Sequence, residues 1–160
     1  SRGLGDVYKR QIVSSYCVVP NEELRRPFFE WLDANELSEP TIFSPIATIA
    51  AFKYGEEWRR QMLEYVEANI DFVDNFLKTR IPQIKALRPQ ASFLVWLNCR
   101  ALNLDHDALV RLFVDGARLA LNDGEMFGRE GRGFMRMNIA SPRAVLQDAL
   151  ERLEKAVKAL

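Results

Sequence analysis

The sequence is poor in features on which several large classes of protein depend. Its 160 residues include 2 cysteines, and Cys17 and Cys99 are too few for a disulfide framework and lack metal-site spacing. We therefore expect free thiols in a reducing compartment and no metal centre. The 22 basic residues are balanced by 22 acidic ones, no apolar run reaches membrane-spanning length, and the first residues lack the apolar segment of a signal peptide. These absences predict a cytoplasmic protein with no nucleic-acid and no membrane partner.

Histidine is also scarce, since His106 is the only one. It follows Asp105, a residue type that caps helix N-termini. No serine and carboxylate are grouped around it in the sequence as a catalytic set would require. We therefore expect His106 to be a solvated residue at the start of a helix.

The N-terminal third of the chain mixes a strand with helices, and 48% hydrophobic residues are enough for about one domain. Residues 1–11, SRGLGDVYKRQ, have no periodicity and are expected to be a non-native leader, with a disordered native terminus as the alternative. Residues 12–19 predict a buried strand that stops at Pro20. A helical region that Pro27 interrupts is expected to follow.

Two further helices are predicted before residue 81. Ser44 and Pro45 have the residue types of a helix start, and Gly55 that of a stop. The helix between them has almost no polar face, so we expect it to be buried in a core or a subunit interface. Apolar residues at three- and four-residue steps predict a helix over 56–80, about 35 Å long, with the domain boundary along it.

After Pro89 the pattern changes to strand, helix, strand, strand, helix, which predicts a small α+β layer and an α/β protein overall. The first strand is SFLVWLNC, and the helix after Asp105 is expected to end near Gly116. Ser141 and Pro142 start the final helix, whose predicted apolar stripe is Val145, Leu146, Ala149, Leu150, Leu153 and Val157.

Two features suggest ligands but have a simpler explanation. The glycines of GREGRG lead into a strand and not into a helix, so a flexible turn is favoured over a phosphate-binding loop. Trp31, Trp58 and Trp96 could form a ligand cage, but core packing is the favoured interpretation.

The run GRGFMRMNIASPR, residues 131–143, contains the strongest candidate site residue. With the two-residue period of a strand, Met135, Met137 and Ile139 fall on one face, and Phe134, Arg136 and Asn138 on the other. Arg136 is either a surface or ion-paired arginine, with Asp123 or Glu125 as its partner, or a receptor for a carboxylate. The residues alone leave these alternatives open.

Residues 89–153 resemble the C-terminal end of the MalY/PatB-type carbon–sulfur lyases, which are cystathionine β-lyase-like enzymes. The resemblance rests on WLNCR, on LNDGEMFGREGRGFMRMNIASPR and on the earlier SPIATIAAF, and it extends from about Val13 to the end. It implies fold type I of the pyridoxal 5′-phosphate (PLP) enzymes. It also implies that Arg136, in the R-x-N motif, binds the substrate α-carboxylate, with Asn138 in a supporting role and Phe127 and Gly128 in a loop near the active site.

The chain departs from this family where the cofactor is attached. The Schiff-base lysine belongs in an S-K-T/S-F-N segment before SSYCVVP, but SRGLGDVYKRQ stands there, and Lys9 lacks the flanking residues. No catalytic residue is therefore assigned, the cofactor-binding residues are unknown, and the chain alone is expected to be inactive. The implied organisation is the end of a large PLP-binding domain at 12–55, a bridging helix at 56–80 and a small domain at 81–160.

The resemblance implies a homodimeric enzyme that cleaves cystathionine or related cysteine S-conjugates to pyruvate, ammonia and a thiol. A PLP-dependent aminotransferase of the same fold is one alternative, because the carboxylate arginine is common to both. A non-catalytic domain that binds a partner or dimerises is the other.

Overall fold

The computed structural model describes residues 17–38 and 41–160, which divide into two units, one ending at Arg60 and the other starting at Gln61. The helices and strands in chain order are α1 (Glu22–Ala34), α2 (Phe43–Tyr54), α3 (Glu56–Arg80), β1 (Lys85–Leu87), β2 (Leu94–Asn98), α4 (His106–Arg111), β3 (Asn122–Asp123), β4 (Phe134–Asn138) and α5 (Arg143–Lys158). Short 3₁₀ or π turns cover Arg100–Leu102, Leu112–Gly116, Gly124–Phe127 and Arg129–Gly131. Within the described ranges, no helix has the length and apolarity needed to span a bilayer.

The beginning of the first unit differs from the sequence-based expectation. The predicted leader and residues 12–16 of the predicted strand lie outside the described residues, and residues 17–19 belong to no strand. Helix α1 runs through Pro27 without a break. The Asn21 side chain caps the helix by accepting hydrogen bonds from the Glu23 and Leu24 N–H groups. Proline has no N–H, so one backbone carbonyl of α1 lacks its helical donor, and because the helix is exposed, water can donate to that carbonyl instead.

Helix α2 stops at the predicted place, with Gly55 as its C-cap residue, but it begins at Phe43, ahead of Ser44. The residue at its N-cap position, Ile42, forms no capping hydrogen bond through its side chain. Its apolar side chains are exposed within this chain, with Phe52 74% and Ile46 67% accessible. Burial in the core of the described chain was therefore a wrong prediction, and burial in a subunit interface remains a prediction. Core packing was also wrong for Trp31 and Trp58, which are both exposed.

Helix α3 has the predicted bounds, and its character changes along its length. Its first turns are exposed and carry ion pairs between Glu56 and Arg59 and between Glu57 and Arg60. Its later turns bury one face, formed by Val66, Asn69, Ile70, Val73, Phe76 and Leu77. The large-domain, bridging and small-domain assignments of 12–55, 56–80 and 81–160 stay predictions.

The second unit is an antiparallel sheet of strand order β1-β2-β4-β3 with helices against one face. One core cluster joins side chains of α3, β2, α4, β4 and α5. Val95 and Leu97 point into it from β2, and Met135 and Met137 from β4. The predicted α+β layer is confirmed, and because side chains alternate along a strand, the residues between these four lie on the opposite face of the sheet.

Helix α5 starts after Pro142 and buries Leu146, Ala149, Leu150 and Leu153 of the predicted stripe, whereas Val157 is half-buried and Val145 is exposed. Glu154 is buried on this helix and pairs with Lys158 and Arg80, at 2.6 Å each. The hydrogen bond from Lys158 is the main cause that holds the pKa of Glu154 below its usual value, and Arg80 lowers it further against the effect of burial.

Glu154→Gln is expected to destabilise the chain at pH 7 in a pH-dependent way. The pKa of Glu154 in the folded state lies below its ordinary value of 4.5. The charged carboxylate therefore stabilises the fold above pH 4.5, and this stabilisation is lost as the pH falls through the folded-state pKa. Urea unfolding of both proteins from pH 7 to pH 3 measures this. The gap between their unfolding free energies should close at acid pH, and a gap that stayed constant would contradict the prediction.

Candidate functional site

Arg136 lies in the middle of β4, on the sheet face opposite to the core. Its strand neighbours Met135 and Met137 are 1% and 3% exposed, as the alternation predicted. The register places Trp96 of β2 and Asn122 of β3 directly beside it, with Leu87 of β1 beyond Trp96. Residues opposite each other in antiparallel strands share a face, so these four side chains form a row across the sheet.

The guanidinium of Arg136 is oriented by two contacts. Its Nη2 donates to Asn122 Oδ1 at 3.0 Å, and its Cζ lies 4.3 Å from the centre of the Phe127 ring. Its Nε is buried and has no acceptor within the described residues, and no carboxylate there pairs with Arg136. A buried N–H without an acceptor is costly, so this group is suited to an acceptor that comes from a ligand.

The alternative in which Arg136 is ion-paired with Asp123 or Glu125 is not what the described structure shows. Asp123 lies opposite Met135, so strand alternation sends its side chain to the other face of the sheet from Arg136. There, Asp123 Oδ2 lies 3.2 Å from Nε2 of His106, and Glu125 Oε1 lies 3.4 Å from Nδ1 of the same ring.

The expectation that His106 is solvated was wrong, because its side chain is only 30% exposed and lies between two carboxylates. The other part of the prediction is confirmed, because Asp105 caps α4 by accepting from the Ala108 N–H at 2.7 Å. No local sequence signal connects His106 with Asp123, because the contact joins residues far apart in the chain.

Phe127 reaches Arg136 from the turn Gly124–Phe127, which Asp123 caps by accepting from the Glu125 N–H. Its ring also contacts Trp96 edge to face at 5.2 Å. Gly128 ends the turn with φ of 120°, a conformation that favours glycine. The structure thus brings Phe127 to Arg136, and Gly128 serves the chain reversal.

The GREGRG segment forms a turn before β4, as predicted, and it packs tightly against the Phe127 turn. A Cβ at Gly124 would lie 2.0 Å from the Gly131 carbonyl oxygen, and a Cβ at Gly131 would lie 2.0 Å from the Gly124 carbonyl oxygen. Arg100 closes the segment from the other side by donating to the carbonyls of Glu130 and Arg132. Only glycine at both positions allows this backbone approach, so Gly131 has a structural role that needs no phosphate.

Asn138 lies at the exposed end of β4, and its Oδ1 accepts from the Ala140 N–H at 2.9 Å. The contact shapes the turn after the strand. Sequence reasoning missed Asn122, which holds the Arg136 guanidinium directly. It also misplaced Trp96, which is half-buried on the site face and not in the core.

A cavity of about 310 Å³ opens beside Phe127. Its lining is largely aromatic and apolar: Leu87, Trp96, Phe127, Glu130, Gly131 and Phe134. Phe127 lines this cavity and also contacts the Arg136 guanidinium. Such an arrangement can bind a small molecule that has a carboxylate and an apolar part.

The described residues do not fit the attachment of PLP. Each of the five lysines among them is exposed: Lys53, Lys78, Lys85, Lys155 and Lys158. Lys78 and Lys158 are paired with Asp74 and Glu154. Cys99 is no nucleophile either, because burial raises the pKa of its thiol to about 12.

Comparison with known proteins gives consistent relatives. No family model matches the chain. Cystathionine β-lyase PatB of Bacillus subtilis is 32% identical over 90% of this chain, and protein MalY of Escherichia coli is 29% identical over 93%. Cystalysin from Treponema denticola, whose crystal structure contains PLP, is 31% identical over 89% of this chain, with a TM-score of 0.84. The chain spans only 36–38% of the length of these relatives.

The fold is that of the fold type I PLP-dependent enzymes, as predicted. Within that class the chain is similar to the MalY/PatB-type cystathionine β-lyases over about nine-tenths of its length, which confirms the resemblance. Aminotransferases of the same fold also match it: two curated aspartate aminotransferases are 26% identical, and a PLP-bound putative aminotransferase from Clostridium difficile is 34% identical over 92% of this chain, with a TM-score of 0.87.

Proposed function

We propose that the chain is part of a PLP-dependent carbon–sulfur β-lyase, in which Arg136 binds the substrate α-carboxylate. The observation that carries the proposal is the buried Nε of Arg136, which has no acceptor among the described residues, on a strand paired on both sides. The names of the relatives that match at about 30% identity support the reaction class.

The surroundings of Arg136 suit this role. A guanidinium can bind a carboxylate through two parallel hydrogen bonds, which fixes its direction as well as its distance. Asn122 holds Nη2 and Phe127 covers one face, so the side chain is oriented before a substrate binds. The bound carboxylate would then set the direction in which the α-carbon presents its proton.

Cofactor binding is a separate part of the proposal, carried by the relatives rather than by the described residues. PLP, when bound, supplies an electron sink for the negative charge that develops at the α-carbon. Catalysis by the 160-residue chain on its own is not proposed, because the described lysines are exposed and the S-K-T/S-F-N segment is absent from the sequence.

We further propose a cytoplasmic homodimer with a small amino acid as substrate. The exposed apolar side chains of α2, including Ile46, Ile49 and Phe52, are of the kind that a subunit interface covers. The balanced charge of the chain supports neither a nucleic-acid nor an anionic membrane partner.

Product analysis of an intact enzyme that carries these residues tests the reaction. With cystathionine as substrate we expect pyruvate, ammonia and a thiol in equal amounts, without any added keto acid. The aminotransferase alternative, favoured by the aminotransferases among the matches, predicts a new amino acid that forms only when a keto acid is added. That second result, without pyruvate release, would contradict the lyase proposal.

A further inference from the structure

His106 lies behind the candidate site, on the side of the sheet away from the Arg136 guanidinium. Its ring has one carboxylate on each side, Asp123 at Nε2 and Glu125 at Nδ1. Both carboxylates belong to the short segment 122–127. The two residues of that segment that contact Arg136, Asn122 and Phe127, lie at its two ends.

Asp123 joins His106 to the turn that carries Phe127. Its Oδ1 accepts from the Glu125 N–H and so starts the turn, while its Oδ2 faces His106. Asn122, one residue earlier, points to the other face and holds Arg136 Nη2. A displacement of Asp123 therefore moves both contacts of the guanidinium together.

Other contacts at this point reach one carboxylate only or serve other groups. Arg132 Nε lies 3.6 Å from Glu125 Oε1, and its side chain is largely exposed. Arg100 is engaged with the carbonyls of Glu130 and Arg132, and Asp105 with the start of α4. Among the described residues, His106 is thus the one side chain that contacts both carboxylates of the segment from outside it.

We propose that His106 is a positioning residue for carboxylate binding at Arg136. By lying between the Asp123 and Glu125 carboxylates it holds segment 122–127 in place, so that Asn122 and Phe127 keep the guanidinium in its binding orientation. His106 does not touch the substrate and acts only through this segment. The inference rests on the proposed role of Arg136 and extends it to a residue on another element.

The test compares His106→Leu, His106→Gln and Asp107→Asn in an intact enzyme that carries these residues. Leucine removes both contacts, glutamine keeps one donor, and Asp107 is an exposed neighbour on the same helix. We expect kcat/KM to fall about three- to tenfold for His106→Leu, mostly through KM, because contacts made by a partly exposed side chain are of modest strength. Glutamine should restore part of the loss, and Asp107→Asn should change nothing.

Coupling to Arg136 separates positioning from general destabilisation. In an Arg136→Ala background, His106→Leu should change kcat/KM less than about twofold, because the group that it positions is gone. An equal loss in both backgrounds would overturn the proposal, since a lower folded fraction reduces activity regardless of Arg136.

A measurement on the 160-residue chain keeps this inference apart from the proposed function. The NMR signal of the Arg136 Nε–H senses the Phe127 ring and should move in His106→Leu but not in Asp107→Asn. An unmoved signal would refute the positioning role of His106. A shifted signal, together with unchanged kinetics for Arg136→Ala, would instead refute the proposed role of Arg136.

Discussion

Replacing Arg136 with alanine is expected to lower kcat/KM for an α-amino acid substrate about 100-fold in an intact enzyme that carries these residues, because a charged hydrogen-bonded pair in a shielded site is lost. Bound PLP should be retained, since Arg136 is assigned to the substrate and not to the cofactor. Steady-state kinetics and the cofactor absorbance of the dialysed protein measure the two effects.

Two further variants sharpen this result. Arg136→Lys keeps the charge but not the planar fork, so it should recover only part of the loss. Arg111→Ala removes an exposed arginine from α4 and should leave the kinetics unchanged. A substrate whose carboxylate is replaced by an amide should be affected much less by Arg136→Ala. Loss of PLP, or an equal effect on acid and amide, would contradict the carboxylate assignment.

Asn69→Ala is expected to be the most destabilising of the substitutions considered, at about 3 kcal/mol, because it leaves buried hydrogen-bonding groups without partners. Asn69 is fully buried in α3. Its Nδ2 donates to the Ile139 carbonyl at 2.9 Å and to the Ser141 carbonyl at 3.0 Å, and its Oδ1 accepts from Arg143 Nε at 2.8 Å. One side chain thus ties α3 to the segment that follows β4.

Asn75 offers a matched control on the same helix. It is exposed, so Asn75→Ala changes the same residue type with the same gain in helix propensity and should stay within about 0.5 kcal/mol of the wild type. Asn69→Asp keeps the acceptor but loses both donors, and it should also be strongly destabilising. Urea unfolding followed by circular dichroism compares the variants. Similar unfolding free energies for Asn69→Ala and Asn75→Ala would refute the role assigned to Asn69.

The wrong sequence-based expectations concern residues whose environment depends on distant parts of the chain. Trp58 and the apolar side chains of α2 have the composition of core residues, yet they are exposed in this chain. Composition and periodicity show that a surface is apolar but not what covers it. The expectation that Pro27 interrupts a helix was wrong for a different reason: an exposed helix can lose one backbone N–H donor and still continue.

The sequence by itself determined the features that depend on near neighbours: the bounds of α3, the Asp105 cap, the alternation in β4 and the face on which Arg136 lies. These follow from periods of 3.6 and 2 residues and from local capping, which operate over a few positions. The resemblance to the MalY/PatB-type lyases likewise rested on a continuous run of residues.

Only the tertiary structure decided which groups meet at the site. Strand pairing brings Asn122 and Trp96 beside Arg136, and it sends Asp123 to the other face, where it meets His106. The same holds for Asn69, whose polar side chain is buried because the carbonyls after β4 accept its hydrogen bonds. Such partners depend on how the strands register and how the helices pack, and no local pattern encodes contacts between residues so far apart in the chain.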